Sequence, residues 1–188
     1  MTSETSRSAD TYLAPPNPAI ELASPNDLAA IADCMQPVYA DTYPNDRGIK
    51  REMFENQTFR AHLEEYLEER LEDPLTRVWI AREGQRVIVT IGLQISEDGE
   101  GAELWGFYVL PSIQDQGIGT KLWEKLMGSE EAGHLMKIKL VVAKDSEKAI
   151  KYYKTRGFEI TGEEERNWPS WTPEPLVNQY WHMEKSLS

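Results

Sequence analysis

The chain has 188 residues, of which 40% are hydrophobic and 28% are charged, and its formal net charge at pH 7 is −12. This length and composition are ordinary for one soluble globular domain with a core of its own. The negative charge argues against general binding to nucleic acid or to anionic membranes, and the sequence has no apolar run near the roughly 18 residues of a membrane span.

Cysteine content and the N-terminus bear on the compartment. The single cysteine, Cys34, excludes a disulfide within the chain and fits a reducing environment. The N-terminus has no basic patch followed by an apolar core, so a signal peptide is not predicted. We therefore expect a cytoplasmic protein in which Cys34 is a buried structural residue.

The N-terminal half predicts a flexible arm, one strand and two helices. Residues 1–18 are polar and then rich in proline, which is typical of a flexible arm, and residues 19–188 are expected to form a single domain. A helix begins with Ser24 as its cap and Asp27 at the capping-box position, and Pro37 limits or kinks this helix near its end. The predicted elements of this half are a strand at 19–22 and helices at 24–39 and 51–71.

The C-terminal half predicts strands interrupted by two helices. Turns containing glycine separate the first strand-like runs, as expected for hairpins. One helix follows Gly117, and another has Asp145 or Ser146 at its cap and stops at Gly157. The predicted strands are 77–81, 86–96, 102–110, 138–143, 158–164 and 179–187, and the predicted helices are 118–127 and 145–157. The element order, β-α-α-β-β-β-α-β-α-β-β, predicts an α/β fold.

The segment Gln116-Gly117-Ile118-Gly119-Thr120, which we call the glycine corner, turns the chain from a strand into a helix. The first N–H groups of a helix have no partners within it, and glycines let an anion approach them. The pattern therefore predicts a phosphate site, or else a tight turn without a ligand. Two common phosphate motifs are excluded, because Leu122 replaces the third glycine of the dinucleotide fingerprint and Thr120 replaces the lysine of the P-loop.

The charge around the glycine corner favours an anion. Between Asp115 and Arg156 the chain has nine basic and six acidic residues, although the whole chain is strongly acidic. Lys121, Lys148 and Lys151 are candidates to neutralise a bound anion, with solvated helix faces as the alternative.

Two segments resemble signatures of the GCN5-related N-acetyltransferases. Gln114, Gly117 and Gly119 match the Q/R-x-x-G-x-G/A motif of that family. Downstream, "SEKAIKYYKTRGF" is similar to its N-x-x-A-x-x-x-Y-x-x-x-G-F helix, with Tyr153 in register and Ser146 in place of the usual asparagine. The resemblance covers about residues 19–185. It implies an α/β fold with a mixed, mostly antiparallel central sheet flanked by helices.

The resemblance also implies a cosubstrate, acetyl-CoA, and no metal. In the family its pyrophosphate lies on the corner, and its pantetheine inserts where the fourth strand splays from the fifth. Gly106 inside the predicted fourth strand suggests a bulge or a close backbone approach there. The residues implied in cofactor binding are Phe107, Tyr108, Val109, Gln114, Gln116, Gly117, Ile118, Gly119, Thr120, Ser146 and Tyr153.

Two residues are candidates for proton transfer in the implied reaction. The family's tyrosine at the place of Tyr153 lies near the cofactor sulfur and protonates the leaving thiolate in many members, with packing as the alternative role. Glu103 holds the place of a glutamate that acts as the base in some members, and a water or a simple turn carboxylate is the alternative.

The acceptor implied by the resemblance is a primary amine on a small molecule, a peptide or a protein. The loops before the second helix and before the last strand frame the acceptor groove in the family, which makes Tyr39, Tyr43, Trp168 and Trp171 candidates for its lining. Aromatic faces on an acidic protein suit a cationic amine. Nucleic acid and membrane are not expected partners, and a homodimer is left open. A non-catalytic module that binds acyl-CoA is the alternative to an enzyme.

Overall fold

One seven-stranded sheet forms the centre of the computed structural model, which describes residues 17–167 and 176–187. The strands are β1 (Ala19–Leu22), β2 (Thr76–Glu83), β3 (Arg86–Ile95), β4 (Gly101–Val109), β5 (Lys137–Ala143), β6 (Glu159–Asn167) and β7 (Val177–Ser186). The helices are α1 (Leu28–Thr42), α2 (Gln57–Glu72), α3 (Ile118–Met127), α4 (Glu130–Gly133) and α5 (Glu147–Lys154). The predicted arm lies mostly outside the described residues.

The strand order in the sheet is β1-β2-β3-β4-β5-β7-β6. All neighbouring strands are antiparallel except β4 and β5, which are parallel and pair only from Gly101 to Glu103. This confirms the expected mixed, mostly antiparallel sheet with helices around it.

The core lies on both sides of β3, whose residues from Val87 to Leu93 are buried. Because both faces of this strand are covered, its sequence reads as a nearly continuous apolar run rather than as an alternation. Helices α1 and α3 both pack on β3. The described residues contain no helix long and apolar enough to cross a membrane.

The helical segment starts after Ser24, as predicted, but Pro25–Asp27 form a 3-10 turn and α1 itself begins only at Leu28. The carboxylate of Asp27 accepts the backbone N–H of Ser24 at 2.7 Å, as in a capping box, and it also accepts the Ser24 hydroxyl at 3.0 Å. The end of α1 also differs from the prediction. Of the two effects predicted for Pro37, the end of the helix is wrong, because α1 continues to Thr42, and the kink stays a prediction. Pro37 is exposed while its neighbours Met35 and Val38 are buried, so its ring occupies the solvent side of the helix.

Two further helix predictions need correction. The second helix begins at Gln57 rather than at residue 51, because Asn56 Oδ1 accepts the amide of Phe59 at 2.9 Å and caps it there. Residues 51–53 form a short 3-10 turn. The small helix α4, which was not predicted, is capped by Ser129.

Candidate active site

A cleft of about 940 Å³ opens where β4 and β5 part. The two strands pair only over three residues at the start of β4, so the rest of the β4 edge has no strand beside it. Beyond β4 the walls come from the glycine corner, β5 and α5, and one end reaches the end of α1. The parting of the two strands thus leaves a cleft between the two halves of the sheet.

A bulge at Gly106 sets the course of β4 along the cleft. Gly106 has a φ of +58°, and the register with β3 shifts between Thr90 and Gly92. The hydroxyl of Thr90 donates to the Gly106 carbonyl at 2.6 Å and holds the bulge. As a result Trp105 contacts α2 through Tyr66, whereas Phe107, only two residues on, contacts α5. The predicted bulge is confirmed.

The free edge of β4 presents backbone groups to the cleft. Leu110 donates its amide to Ile88 on β3 at 3.1 Å, so strand alternation directs the polar groups of Val109 to the opposite, open edge. The Val109 carbonyl indeed accepts from Gln114 Nε2 at 3.3 Å on that edge. By the same alternation the backbone of Tyr108 faces β3, and Tyr108 reaches the cleft with its side chain.

The glycine corner forms the N-terminus of α3. Gly117 has a φ of +79° and occupies the N-cap. The first bond of the helix runs from the Lys121 amide to the Gly117 carbonyl at 3.1 Å, which leaves the three preceding amides without helical partners. At Gly119 a Cβ would lie 3.1 Å from Val109 Cγ2, so this glycine lets the corner pack closely on β4. These amides form a ready anion site.

The structure brings most of the predicted cofactor residues together. All of them line the cleft except Gln116, whose Nε2 instead donates to the Ser112 carbonyl at 3.4 Å. Ser146 sits at the N-cap of α5, and its side chain makes no capping hydrogen bond there. Of the three candidate lysines, Lys148 lines the cleft, and Lys121 and Lys151 do not.

Tyr153 lines the cleft from the inner face of α5. Its side chain is buried and packs edge-on against the rings of Tyr152 and Phe158. Burial raises the pKa of Tyr153 well above the usual value of tyrosine. The hydroxyl therefore stays protonated at neutral pH, as a general acid requires.

Glu103, unlike Tyr153, does not line the cleft. It is the last residue of β4 that pairs with β5, opposite Lys139, and its carboxylate is 3.9 Å from Lys139 Nζ. Tyrosines, in contrast, do line the cleft. Tyr43 and Tyr108 both line it, and their hydroxyl oxygens are 2.9 Å apart.

Arg47, in the loop after α1, binds residues on the β5 side of the cleft, and we call these contacts the Arg47 bridge. The guanidinium of Arg47 pairs with Asp145, just before α5, and donates to Oδ1 of the buried Asn178 on β7 at 2.8 Å. Tyr43, from the same loop region, lines the cleft, while Tyr39 packs on it at a centroid distance of 5.0 Å. Trp168 and Trp171 lie outside the described residues.

Three features of the cleft were not predicted from the sequence. The Arg47 bridge joins segments distant in the chain, and neither motif contains it. The tyrosine cluster combines α1 with β4. Arg156 also lines the cleft, immediately before the motif residue Gly157. Arg156 is the last residue of the basic segment that the sequence pointed to, but the sequence did not show that its side chain lines the cleft.

The buried tyrosines predict a loss of stability at alkaline pH. Burial raises the pKa of Tyr39, Tyr108 and Tyr153, and that of Tyr43 to about 12. An unfolded tyrosine ionises near pH 10. The unfolded state therefore releases protons first, and the stabilisation that these groups provide below about pH 10 is lost as the pH rises through the folded values.

Urea unfolding between pH 8 and pH 11 checks this expectation. Above about pH 10 each such tyrosine contributes a fall of about 1.4 kcal/mol per pH unit to the free energy of unfolding. The variant Tyr43→Phe removes one of them, so the alkaline slope of its unfolding free energy is expected to be shallower by about that amount. An identical slope in both proteins would contradict the prediction.

Known proteins were compared with this chain by sequence and by structure. Residues 38–158, more than half of the chain, match the model of the acetyltransferase (GNAT) family. The chain therefore belongs to this family, as its motifs predicted. No curated protein matches the sequence significantly.

Solved structures with the same fold include three named acetyltransferases. The PaiA N-acetyltransferase of Thermoplasma acidophilum, in complex with coenzyme A, has a TM-score of 0.64 at 20% identity over 89% of this chain and 99% of its own. The ribosomal-protein-S18-alanine N-acetyltransferase of Escherichia coli has a TM-score of 0.63 at 20% identity, over 90% and 94%. A spermidine N-acetyltransferase SpeG chimera from Vibrio cholerae and hSSAT has a TM-score of 0.60 at 20% identity, over 89% and 94%. At these identities the likeness establishes the fold.

Proposed function

We propose that the protein transfers an acetyl group from acetyl-CoA to a primary amine, by direct attack while both substrates are bound. The observation that carries the proposal is the cleft itself. It joins the unpaired amides of the glycine corner to the free edge of β4 and to the buried hydroxyl of Tyr153. Family membership and the coenzyme A complex of the Thermoplasma structure support the same ligand.

Each part of the cleft has a distinct task in holding acetyl-CoA. The amides of Ile118, Gly119 and Thr120 bind the pyrophosphate, since they point from the positive end of a helix. The free edge of β4 at Phe107 and Val109 pairs with the amide groups of the pantetheine, as a further strand would. Ser146, whose side chain makes no capping bond, offers a hydroxyl from the opposite wall.

In the reaction the cationic acceptor first loses a proton, and the neutral amine nitrogen then forms a bond to the thioester carbonyl carbon while the carbon–sulfur bond breaks. Tyr153 gives its hydroxyl proton to the leaving thiolate and is reprotonated from the solvent, and the nitrogen loses its second proton. Because Glu103 does not line the cleft, we propose that it takes the amine proton through water or that water alone carries it.

Direct attack is favoured over an acetyl-cysteine intermediate. Cys34 is buried, and burial raises the pKa of its thiol to about 12. Since the thiolate is the nucleophilic form, Cys34 is unreactive at neutral pH. It also does not line the cleft.

The acceptor that fits best is a cationic amine. Asp41, in the last turn of α1, and Asp145, just before α5, both line the cleft, on a chain of net charge −12. Both carboxylates pair with arginines, so their own charges are balanced. The net negative charge of the whole protein is therefore what attracts a cationic amine. A polyamine, an amino sugar and a peptide or protein amine all fit this description.

A panel of amines tests the proposal. The protein is incubated with acetyl-CoA and separately with polyamines, amino sugars and peptides, and the release of free thiol is followed. We expect release above the rate of hydrolysis with at least one class. Absence of release with all of them, together with saturable acetyl-CoA binding, would instead support a non-catalytic acyl-CoA-binding module.

A further inference from the structure

Arg156 lies at the glycine corner, although it comes from the end of α5. Its Nη2 donates to Thr120 Oγ1 in the first turn of α3 at 3.1 Å. Its Nη1 donates to the carbonyl of Tyr152 at 3.3 Å. The side chain therefore bridges the two helices that carry the two sequence motifs, and it lines the cleft between them.

The guanidinium of Arg156 is held in place before any ligand arrives. Its central carbon is 3.4 Å from the centroid of the Tyr152 ring, which stacks under it. Tyr152 in turn packs edge-on against Phe107 of β4 at a centroid distance of 5.4 Å. A fixed arginine loses little conformational freedom on binding, which increases its contribution to affinity.

The charge of Arg156 has no counterion among residues 17–167 and 176–187, since none of their carboxylates forms an ion pair with it. It also lies beside the N-terminus of α3, the positive end of that helix, where a cation is disfavoured. Lys148, on the same side of the cleft, differs because it is paired with Asp115 at 3.2 Å. The guanidinium of Arg156 and the N-terminus of α3 are both positive, and a bound anion would balance the charge of both.

We propose that Arg156 binds the pyrophosphate of acetyl-CoA together with the amides of the glycine corner. This inference rests on the proposed function, because it assumes that the corner holds that pyrophosphate. It adds a charged donor from the turn after α5 to the neutral donors of α3. The bound pyrophosphate thereby joins α3 to α5 and fixes Tyr153, three residues before Arg156, relative to the corner.

Calorimetric titration with three ligands tests the assignment. Coenzyme A has both the pyrophosphate and the 3′-phosphate, dephospho-coenzyme A has only the pyrophosphate, and pantetheine has neither. In Arg156→Gln we expect the affinity for the first two to fall equally, by about tenfold to a hundredfold, the usual range for a charge-assisted hydrogen bond. Pantetheine binding is expected to be unchanged. Arg156→Lys should recover part of the loss.

A matched control comes from the same end of α5. Lys154 is exposed and does not line the cleft, so Lys154→Gln removes one positive charge without reaching the corner. Its affinity for coenzyme A should stay within about twofold of the wild type, since an exposed charge at a distance is screened. Unfolding curves of all three variants report whether the fold is kept.

Three outcomes would overturn the assignment. Unchanged affinity of Arg156→Gln for coenzyme A would remove the contact. Weakening that spares dephospho-coenzyme A would move the contact to the 3′-phosphate. Equal weakening of pantetheine binding would make Arg156 a structural residue. Failure of the wild-type protein to bind coenzyme A at all would instead contradict the proposed function, so the two failures are distinct.

Discussion

Gly117→Glu is expected to abolish the binding of acetyl-CoA while the protein stays folded. The space around the added Cβ is open, with no atom within 4 Å, so the fold does not resist the side chain by a clash. The φ of +79° costs a non-glycine residue about 1–2 kcal/mol, which a folded domain tolerates. The new carboxylate would then occupy the anion site at the start of α3 and repel a phosphate.

Calorimetry with acetyl-CoA measures this effect, and Gly84→Glu provides its control. Gly84, in the turn between β2 and β3, also has a positive φ, +60°, and open space around it, but it does not line the cleft. The control should show a similar loss of stability and an unchanged affinity. If Gly117→Glu were folded and still bound acetyl-CoA like the wild type, the corner would not be the phosphate site.

Tyr153→Phe is expected to lower turnover by about 10²-fold with little change in the affinity for acetyl-CoA. The substitution keeps the ring and its contacts with Tyr152 and Phe158, and it removes only the hydroxyl. Because burial raises the pKa of this hydroxyl, the wild-type acid stays protonated, and the loss should be the same at pH 7 and pH 9.

Steady-state kinetics on the accepted amine, with calorimetry for acetyl-CoA, separates the roles open to Tyr153. Tyr66→Phe, which removes a tyrosine hydroxyl on α2 outside the cleft, serves as the control and should retain its turnover. Turnover of Tyr153→Phe within about twofold of the wild type would assign the acid to a water. A loss of affinity with unchanged turnover would make Tyr153 a binding residue.

Local patterns in the sequence predicted the parts of the fold that local chemistry decides. The capping box at Ser24, the glycine corner and the bulge at Gly106 each depend on a few adjacent residues, and all three are present. The end of α1 was mistaken because proline disfavours a helix interior, whereas here Pro37 lies on the solvent side and the buried face around it continues. Tertiary packing outweighed the local preference.

The parts of the site that the sequence did not predict are contacts between distant segments. Arg156 belongs to a predicted basic segment, but only the packing of α5 beside α3 places its guanidinium on Thr120. Arg47 has no motif of its own, and its partners Asp145 and Asn178 are 98 and 131 residues away along the chain. Spacing in one sequence carries no information about such contacts. The base role of Glu103 stays a prediction.

Transfer of an isotopically labelled acetyl group tests the central claim most directly. The wild-type protein is incubated with acetyl-CoA labelled in the acetyl group and with the amines of the panel, and the products are analysed by mass spectrometry. We predict a labelled N-acetyl product with one free thiol released per product, and none with Gly117→Glu. Saturable binding of acetyl-CoA by the wild type without a labelled product from any amine would contradict the claim that the cleft between β4 and β5 is a catalytic site.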